Sequence, residues 1–172
     1  MSANANDAGE VVFKLDREFN APRSLVWAAY TEPERLAQWW GPKGFEMLTC
    51  KVDLRSGGIF HYGMKAPNGF TMWGKLIYQE IKAPERLSFI VSFSDEKAGV
   101  TRHPMSATWP LEVLSVNDFI EKDGKTTISS RSTPVRASAE EIKSFKDGFA
   151  GMQQGFKGAL DALEAYLAKA QS

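Results

Sequence analysis

The sequence predicts an α+β domain in which a long C-terminal helix lies across a curved antiparallel sheet of about seven strands. Three observations predict it. Ile142, Phe145, Phe149, Met152, Phe156, Leu160, Leu163 and Leu167 recur at steps of three and four, the period of one helical face. Between Phe45 and Arg131 the period changes to two, as in strands with one buried side. Asn68-Gly69 and Asp123-Gly124, each flanked by strand-like runs, carry the residues preferred by tight hairpin turns with positive φ. An apolar helix stripe and a one-sided sheet both need cover, so each closes the other.

The elements follow in order. Val11 to Phe19 alternates as a first strand, with Val11, Phe13, Leu15 and Phe19 toward one side. Asn20, Ala21 and Pro22 make a helix start, and Leu25, Val26, Ala28 and Ala29 carry a short helix through Trp27 and Tyr30. Thr31 with Glu34 predicts a capping box for a second short helix. Pro33 stands in its first turn, Leu36, Trp39 and Trp40 form its apolar side, and Gly41-Pro42 stops it. Leu48, Cys50, Val52 and Leu54 are expected on one face of the next strand. Ser56-Gly57-Gly58 bends the chain, and Phe60, Tyr62 and Met64 point one way after it. Strands over Phe70 to Ile81, Leu87 to Phe93, Leu111 to Glu121 and Thr126 to Arg131 complete a meander. Ser94 to Pro110 is the one long connection, of a length that serves as a lid, a binding loop or a mobile segment.

Ser138 with Glu141 supplies a capping box for a helix from Ala139 to Ala168, roughly 45 Å long at 1.5 Å per residue. A second stripe on it, Gly148, Gly151, Gly155, Gly158, Ala162 and Ala165, is made of small residues. Each interior glycine costs about 1 kcal/mol against alanine, so the stripe needs a purpose. Either the backbone comes close to the N-terminal helices or to a partner subunit, which makes a homodimer an option, or the glycines trim bulk beside an enclosed space.

A chain of 172 residues suits one domain, expected over residues 11–169 after a disordered tail at 1–10. Its 21 basic and 21 acidic residues cancel, and no segment gathers Lys and Arg to track phosphates, so no nucleic-acid partner is expected. The helix-turn-helix outline of residues 20–40 lacks the basic residues of a DNA reader. No apolar run approaches the roughly 20 residues that span a bilayer. Cys50 is the only cysteine and is expected to be an inert core residue. No intrachain disulfide is possible, and the polar N-terminus lacks the apolar core of a signal peptide, so a reducing, cytoplasmic setting is expected.

The aromatic supply carries the main functional hint, because large flat side chains line ligand pockets as well as cores. Trp27, Trp39, Trp40, Phe60, Tyr62, Trp73, Phe89, Trp109, Phe149 and Phe156, with Met152, are the candidate ligand-binding residues. Tyr62 carries a hydroxyl that needs a partner if buried, and His103 stands in the long loop. These two are the candidate catalytic residues, as acid or base. His61 and His103, the only histidines, have no neighbours at ligand spacing, so no metal site is expected. No nucleophile elbow, phosphate loop or dinucleotide fingerprint occurs, so no cofactor is expected either. Asp53, Arg55, Glu80 and Arg86 are read as cross-strand ion pairs of the outer face, with an arginine anchor for an acidic ligand as the alternative.

The ordered set Leu36-x-x-Trp39-Trp40-Gly41, Asp53-x-Arg55-x-Gly57-Gly58-x-Phe60, Gly74 followed by Glu80, Pro84-Glu85-Arg86-Leu87, and Gly151-Met152-x-x-Gly155-Phe156 with Leu160 and Leu163 resembles one family. It is the activator of heat-shock protein 90 ATPase homologue family, within the START-like (SRPBCC) helix-grip superfamily, and the likeness covers about Val11 to Leu167. The resemblance implies the helix-grip fold and, first, binding of a small apolar molecule between the sheet and the C-terminal helix. Second, it implies a co-chaperone with a chaperone partner and a link to the stress response. Third, it implies a cyclase- or hydrolase-type enzyme using His103 or Tyr62. One scaffold hosts all three, so the fold does not choose among them. Phe156 stands where the family often has Trp, and the Ser94 to Pro110 connection is longer than is typical.

Overall fold

A computed structural model describes residues 11–41 and 44–172. The expected tail at 1–10 and Pro42 of the expected helix stop lie outside the described residues. Eight antiparallel strands make one open sheet, seven of them in the order β1-β8-β7-β5-β4-β3-β2. They are β1 (Phe13–Phe19), β2 (Glu46–Val52), β3 (Ile59–Lys65), β4 (Thr71–Lys82), β5 (Arg86–Ser94), β6 (Val100–Thr101), β7 (Val113–Lys122) and β8 (Lys125–Pro134). Short β6, inside the long loop, pairs with the end of β5 beyond its register with β7. Two short helices, α1 (Arg23–Thr31) and α2 (Pro33–Trp39), follow β1, and α3 (Ala139–Asp147) and α4 (Phe149–Ala170) close the chain.

One sheet face carries the helices and the core. Phe19, Phe60, Leu76, Tyr78, Leu87, Phe119 and Ile128 point to it. They pack with Val26 and Leu36 of the short helices and with Leu160, Leu163 and Leu167 of α4. Arg17 of β1 ties the sheet edge to α4 through Asp161 at 2.7 Å and Glu164 at 2.6 Å. At the other end of the C-terminal segment, Ser138 caps α3 with a full capping box, as the spacing to Glu141 predicts.

Several expectations need correcting. The helix from Ala139 to Ala168 is two helices, broken at Gly148 (φ −88°, ψ 2°). A Cβ there would stand 2.8 Å from the Trp109 ring, so the long loop packs where a continuous helix would put a side chain. Thr31 and Glu34 form no capping box. Thr31 stays helical and its hydroxyl donates to the Trp27 carbonyl, while Glu32 takes the cap position without a side-chain bond. Asn20 is no cap either, since Pro22 precedes α1. A register shift between Met47 and Thr49 turns Leu48 outward, 45% exposed, while Met47, Cys50 and Val52 pack on the core. Leu54 lies past the strand end and is 40% exposed. Asp123-Gly124 is the two-residue turn expected, with both φ positive. Asn68-Gly69 sits instead at the tip of a wider connection in which Gly69 N–H bonds the Ala66 carbonyl.

The three stripe glycines within α4 are not pressed against another element: a Cβ on Gly151, Gly155 or Gly158 would meet nothing within 4 Å. Gly158→Ala therefore removes a helix glycine without a clash and should raise unfolding stability by about 0.5–1 kcal/mol in urea titration. Leu163→Ala, which truncates a fully buried side chain, should lower it by about 2–5 kcal/mol in the same measurement.

A cavity between the sheet and the C-terminal helix

The pairing registers show what faces the helices. One inward row crosses the sheet as Tyr78, Phe89, Ser115, Ser132 and Phe13, and the next as Leu87, Asn117, Ser130 and Leu15. Both rows are apolar at their flanks and polar in the middle. The segment of α4 above them presents Met152, Gly155, Phe156, Ala159 and Leu160, of which two have little or no side chain. Short side chains on both sides leave a gap, and a cavity of about 330 Å³ lies there. That is at the lower end of the range of ligand pockets, about 300–1,000 Å³.

The wall is mainly apolar. Tyr30, Trp39, Trp40 and Tyr62 line it on the side of the short helices, with Met64, Met72, Phe89 and Phe93 along the sheet and Phe13, Leu15 and Ile128 toward β1. The aromatic rings brace one another: Trp40 packs edge-on to Tyr62 at 5.6 Å and to Phe60 at 5.4 Å, and Phe13 stacks on Phe156 at 5.8 Å. Trp39 donates its indole N–H to the Ala29 carbonyl at 2.9 Å, which locks the turn between the short helices. Gly74 is needed for this wall. A Cβ there would reach 2.5 Å from the Tyr62 hydroxyl oxygen.

Of the eleven candidate ligand-binding residues, Trp39, Trp40, Tyr62, Trp73, Phe89, Met152 and Phe156 border the cavity. Trp73 does so from the outer side: it pairs with Gly63, its ring lies over that glycine, and it stacks on His61 at 5.4 Å. The other four do not border it. Trp27 packs on Phe119, Phe60 is buried in the core beneath Trp40 and Tyr62, and Phe149 wedges between Phe13 and Phe145. Trp109 packs on Phe145 at the break between α3 and α4. Of the two catalytic candidates, Tyr62 borders the cavity and His103 does not. His103 stands behind Phe93 at 4.6 Å, its Nδ1 accepts from the Met105 N–H, and burial lowers its pKa. The long loop is pinned to α3 by the Arg102–Glu141 ion pair and by a 2.7 Å hydrogen bond between Thr108 and Ser144.

Asp53 pairs with Arg55, and Arg86 with Asp118 at 2.7 Å and Glu80 at 3.8 Å, all away from the cavity. The charged residue that does border it is Arg17. The inward polar group of Ser115, Asn117, Ser130 and Ser132 also escaped the sequence reading. The parity set by Phe119 in β7 and Ile128 in β8 points to these four, since residues two apart share a face. Among the described residues no cluster of three or more His, Cys, Asp or Glu could hold a metal, and no helix is long and apolar enough to cross a membrane.

A sheet with helices on one face and the last helix lying across it defines a helix-grip fold. A family model for "Activator of Hsp90 ATPase homolog 1-like protein" matches residues 20–168, and the chain belongs to that family. Protein Ms6760 from Mycobacterium smegmatis is similar at 29% identity and TM-score 0.73, with 91% of this chain and 90% of that one covered. A protein from Arthrobacter aurescens is similar at 26% identity and TM-score 0.74, covering 92% and 86%. Protein NE0264 from Nitrosomonas europaea shares the fold at 23% identity and TM-score 0.74, covering 94% and 96%. No curated protein matches the chain.

The buried phenols make alkaline pH a probe of this region. Burial pushes Tyr62 up to about 12, with Trp40 pulling slightly the other way, and burial also raises Tyr30 and Tyr78. A raised folded value means the folded chain keeps a proton that the unfolded chain loses above about pH 10. The stability these groups contribute is complete below that pH and is lost as pH rises through their folded values. Unfolding free energy should fall above about pH 10, by at most about 1.4 kcal/mol per pH unit per tyrosine, and Tyr62→Phe should make the fall shallower in urea titrations.

Proposed function

We propose that the protein binds a small, largely apolar molecule in the cavity between the sheet and α4. The observation that supports this is the cavity itself: about 330 Å³ walled by Trp39, Trp40, Tyr62, Phe89, Met152 and Phe156, beneath a helix whose facing residues include the small Gly155 and Ala159. A fold selected for stability alone fills such a space, since an unfilled hollow costs about 24 cal/mol per Å³. The ring edges and the two methionines Met64 and Met72 offer dispersion contacts and adaptable packing to a compact ligand. Cys50, half-buried and without a disulfide, fits a reducing cytoplasmic setting for this role.

The test is titration with fatty acids, sterols and aromatic polyketides, followed by tryptophan fluorescence, since Trp39 and Trp40 are in the wall. At least one class should give a saturable change, and Ala159→Phe, which puts a ring into the hollow, should weaken it at least about tenfold. No saturable change with any of them would remove the reading.

The family's description supports a second reading, a co-chaperone that contacts a heat-shock protein 90 type chaperone. Its test is pull-down with that chaperone together with the chaperone's ATPase rate. Association with a changed rate would support this role, and no association would remove it.

A further inference from the structure

We propose that the molecule bound in the cavity is a neutral compact ring compound bearing a hydroxyl or carbonyl oxygen, and that Ser115 and Ser132 hold that oxygen. This rests on the container reading above and specifies its ligand.

Inward positions of a core-facing sheet are apolar unless something polar meets them. Here four adjoining inward positions on β7 and β8 are Ser115, Asn117, Ser130 and Ser132, all bordering the cavity, and all but Ser130 buried. Asn117 is already committed. Its amide N–H₂ donates to the Leu87 carbonyl and to the Ser115 hydroxyl oxygen, both at 3.2 Å, and its carbonyl oxygen accepts from Ser130 at 2.6 Å. Asn117 and Ser130 therefore hold each other and orient Ser115.

The hydroxyl hydrogens of Ser115 and Ser132 have no acceptor among the described residues. The two serines are directly opposite on neighbouring strands. Such pairs have Cβ atoms about 4.5–5.5 Å apart, so one oxygen lying above them can take a hydrogen bond of about 2.7–2.8 Å from each hydroxyl. A hydroxyl hydrogen that finds no acceptor in an apolar surrounding is unfavourable, and a hydrocarbon ligand would offer none to either serine. On either side, Phe89 and Phe13 flank the serine pair in the same row, which places flat apolar surface around the oxygen site.

The ligand's neutrality follows from the charges. Arg17 is the charged residue on the wall, and its guanidinium is held by Asp161 and Glu164, with Lys157 on Asp161 at 2.9 Å. Two cations and two carboxylates cancel, so no free positive charge offsets the desolvation of a carboxylate entering the cavity.

Three probes that share one ring system separate the possibilities: 2-naphthol, 2-methylnaphthalene and 2-naphthoate, titrated against the full chain and followed by the indole N–H resonances of Trp39 and Trp40. The proposal expects 2-naphthol to bind about tenfold more tightly than either of the others, and the Ser115→Ala/Ser132→Ala variant to lose that advantage. Dispersion of the indole signals reports whether the variant is folded; Ser132→Ala alone, with about a threefold loss expected, serves if it is not. Equal binding of 2-naphthol and 2-methylnaphthalene, an advantage that survives both variants, or tighter binding of 2-naphthoate would overturn the oxygen site and leave the container reading standing. Failure of all three probes to bind would overturn the compact ring ligand, and the container reading falls with it if the fatty acids, sterols and polyketides fail as well.

Discussion

The structure depends on how far a helix can descend onto a sheet. Over its C-terminal half α4 descends fully: Leu160, Leu163 and Leu167 are buried among Phe19, Val26 and Leu36, and these contacts fix the helix axis. Burying side chains of this size contributes about 1.5–3 kcal/mol each. Over its N-terminal half the same rigid rod passes above Ser115, Asn117, Ser130 and Ser132, and it carries Gly155 and Ala159 toward them. A straight helix held at one end cannot sink to fill what short side chains leave at the other. The hollow is thus the outcome of a tight contact and a loose one on a single helix.

The surrounding parts maintain that arrangement. Arg17 bridges β1 to Asp161 and Glu164, which keeps the sheet edge against the helix. Trp109 sits in the notch at Gly148, and Arg102 and Thr108 tie the long loop to α3. The loop thereby sets where α3 ends and α4 begins. The short helices supply the aromatic side of the wall, with Trp39 anchored by its bond to Ala29 and Trp40 set against Tyr62 and Phe60. Tyr78 adds a contrast. Its hydroxyl is buried with no hydrogen-bond partner among the described residues, outside the cavity, in a largely apolar part of the core.

Periodicity made the architecture legible. Eight apolar residues at helical spacing, a capping box at Ser138 and the Asp123-Gly124 turn are local signals, and local physics produces the elements they mark. Features decided by distant contacts were not legible. Gly148 reads as an ordinary helix glycine until Trp109, thirty-nine positions earlier, is seen packed against it. Thr31 and Glu34 have cap spacing, but α1 runs on through Thr31 and leaves no free end to cap. In the candidate site, size and flatness identify pocket and core residues alike, so Phe60, Trp27, Trp109 and Phe149 read as wall residues though they brace other parts. The serines and Asn117 were hidden because β7 carries apolar residues at both parities. Leu114 and Val116 face outward while Phe119 faces in, and the pattern alone does not say which side is the core.

The account's central claim is that α4 encloses real space above the sheet. A crystal of the protein pressurised with xenon tests it most directly, because xenon enters apolar hollows and scatters strongly. The account predicts xenon between Trp40, Phe89 and Met152, beneath the helix. A protein interior solid at that place, with side chains filling it and no xenon bound, would contradict it.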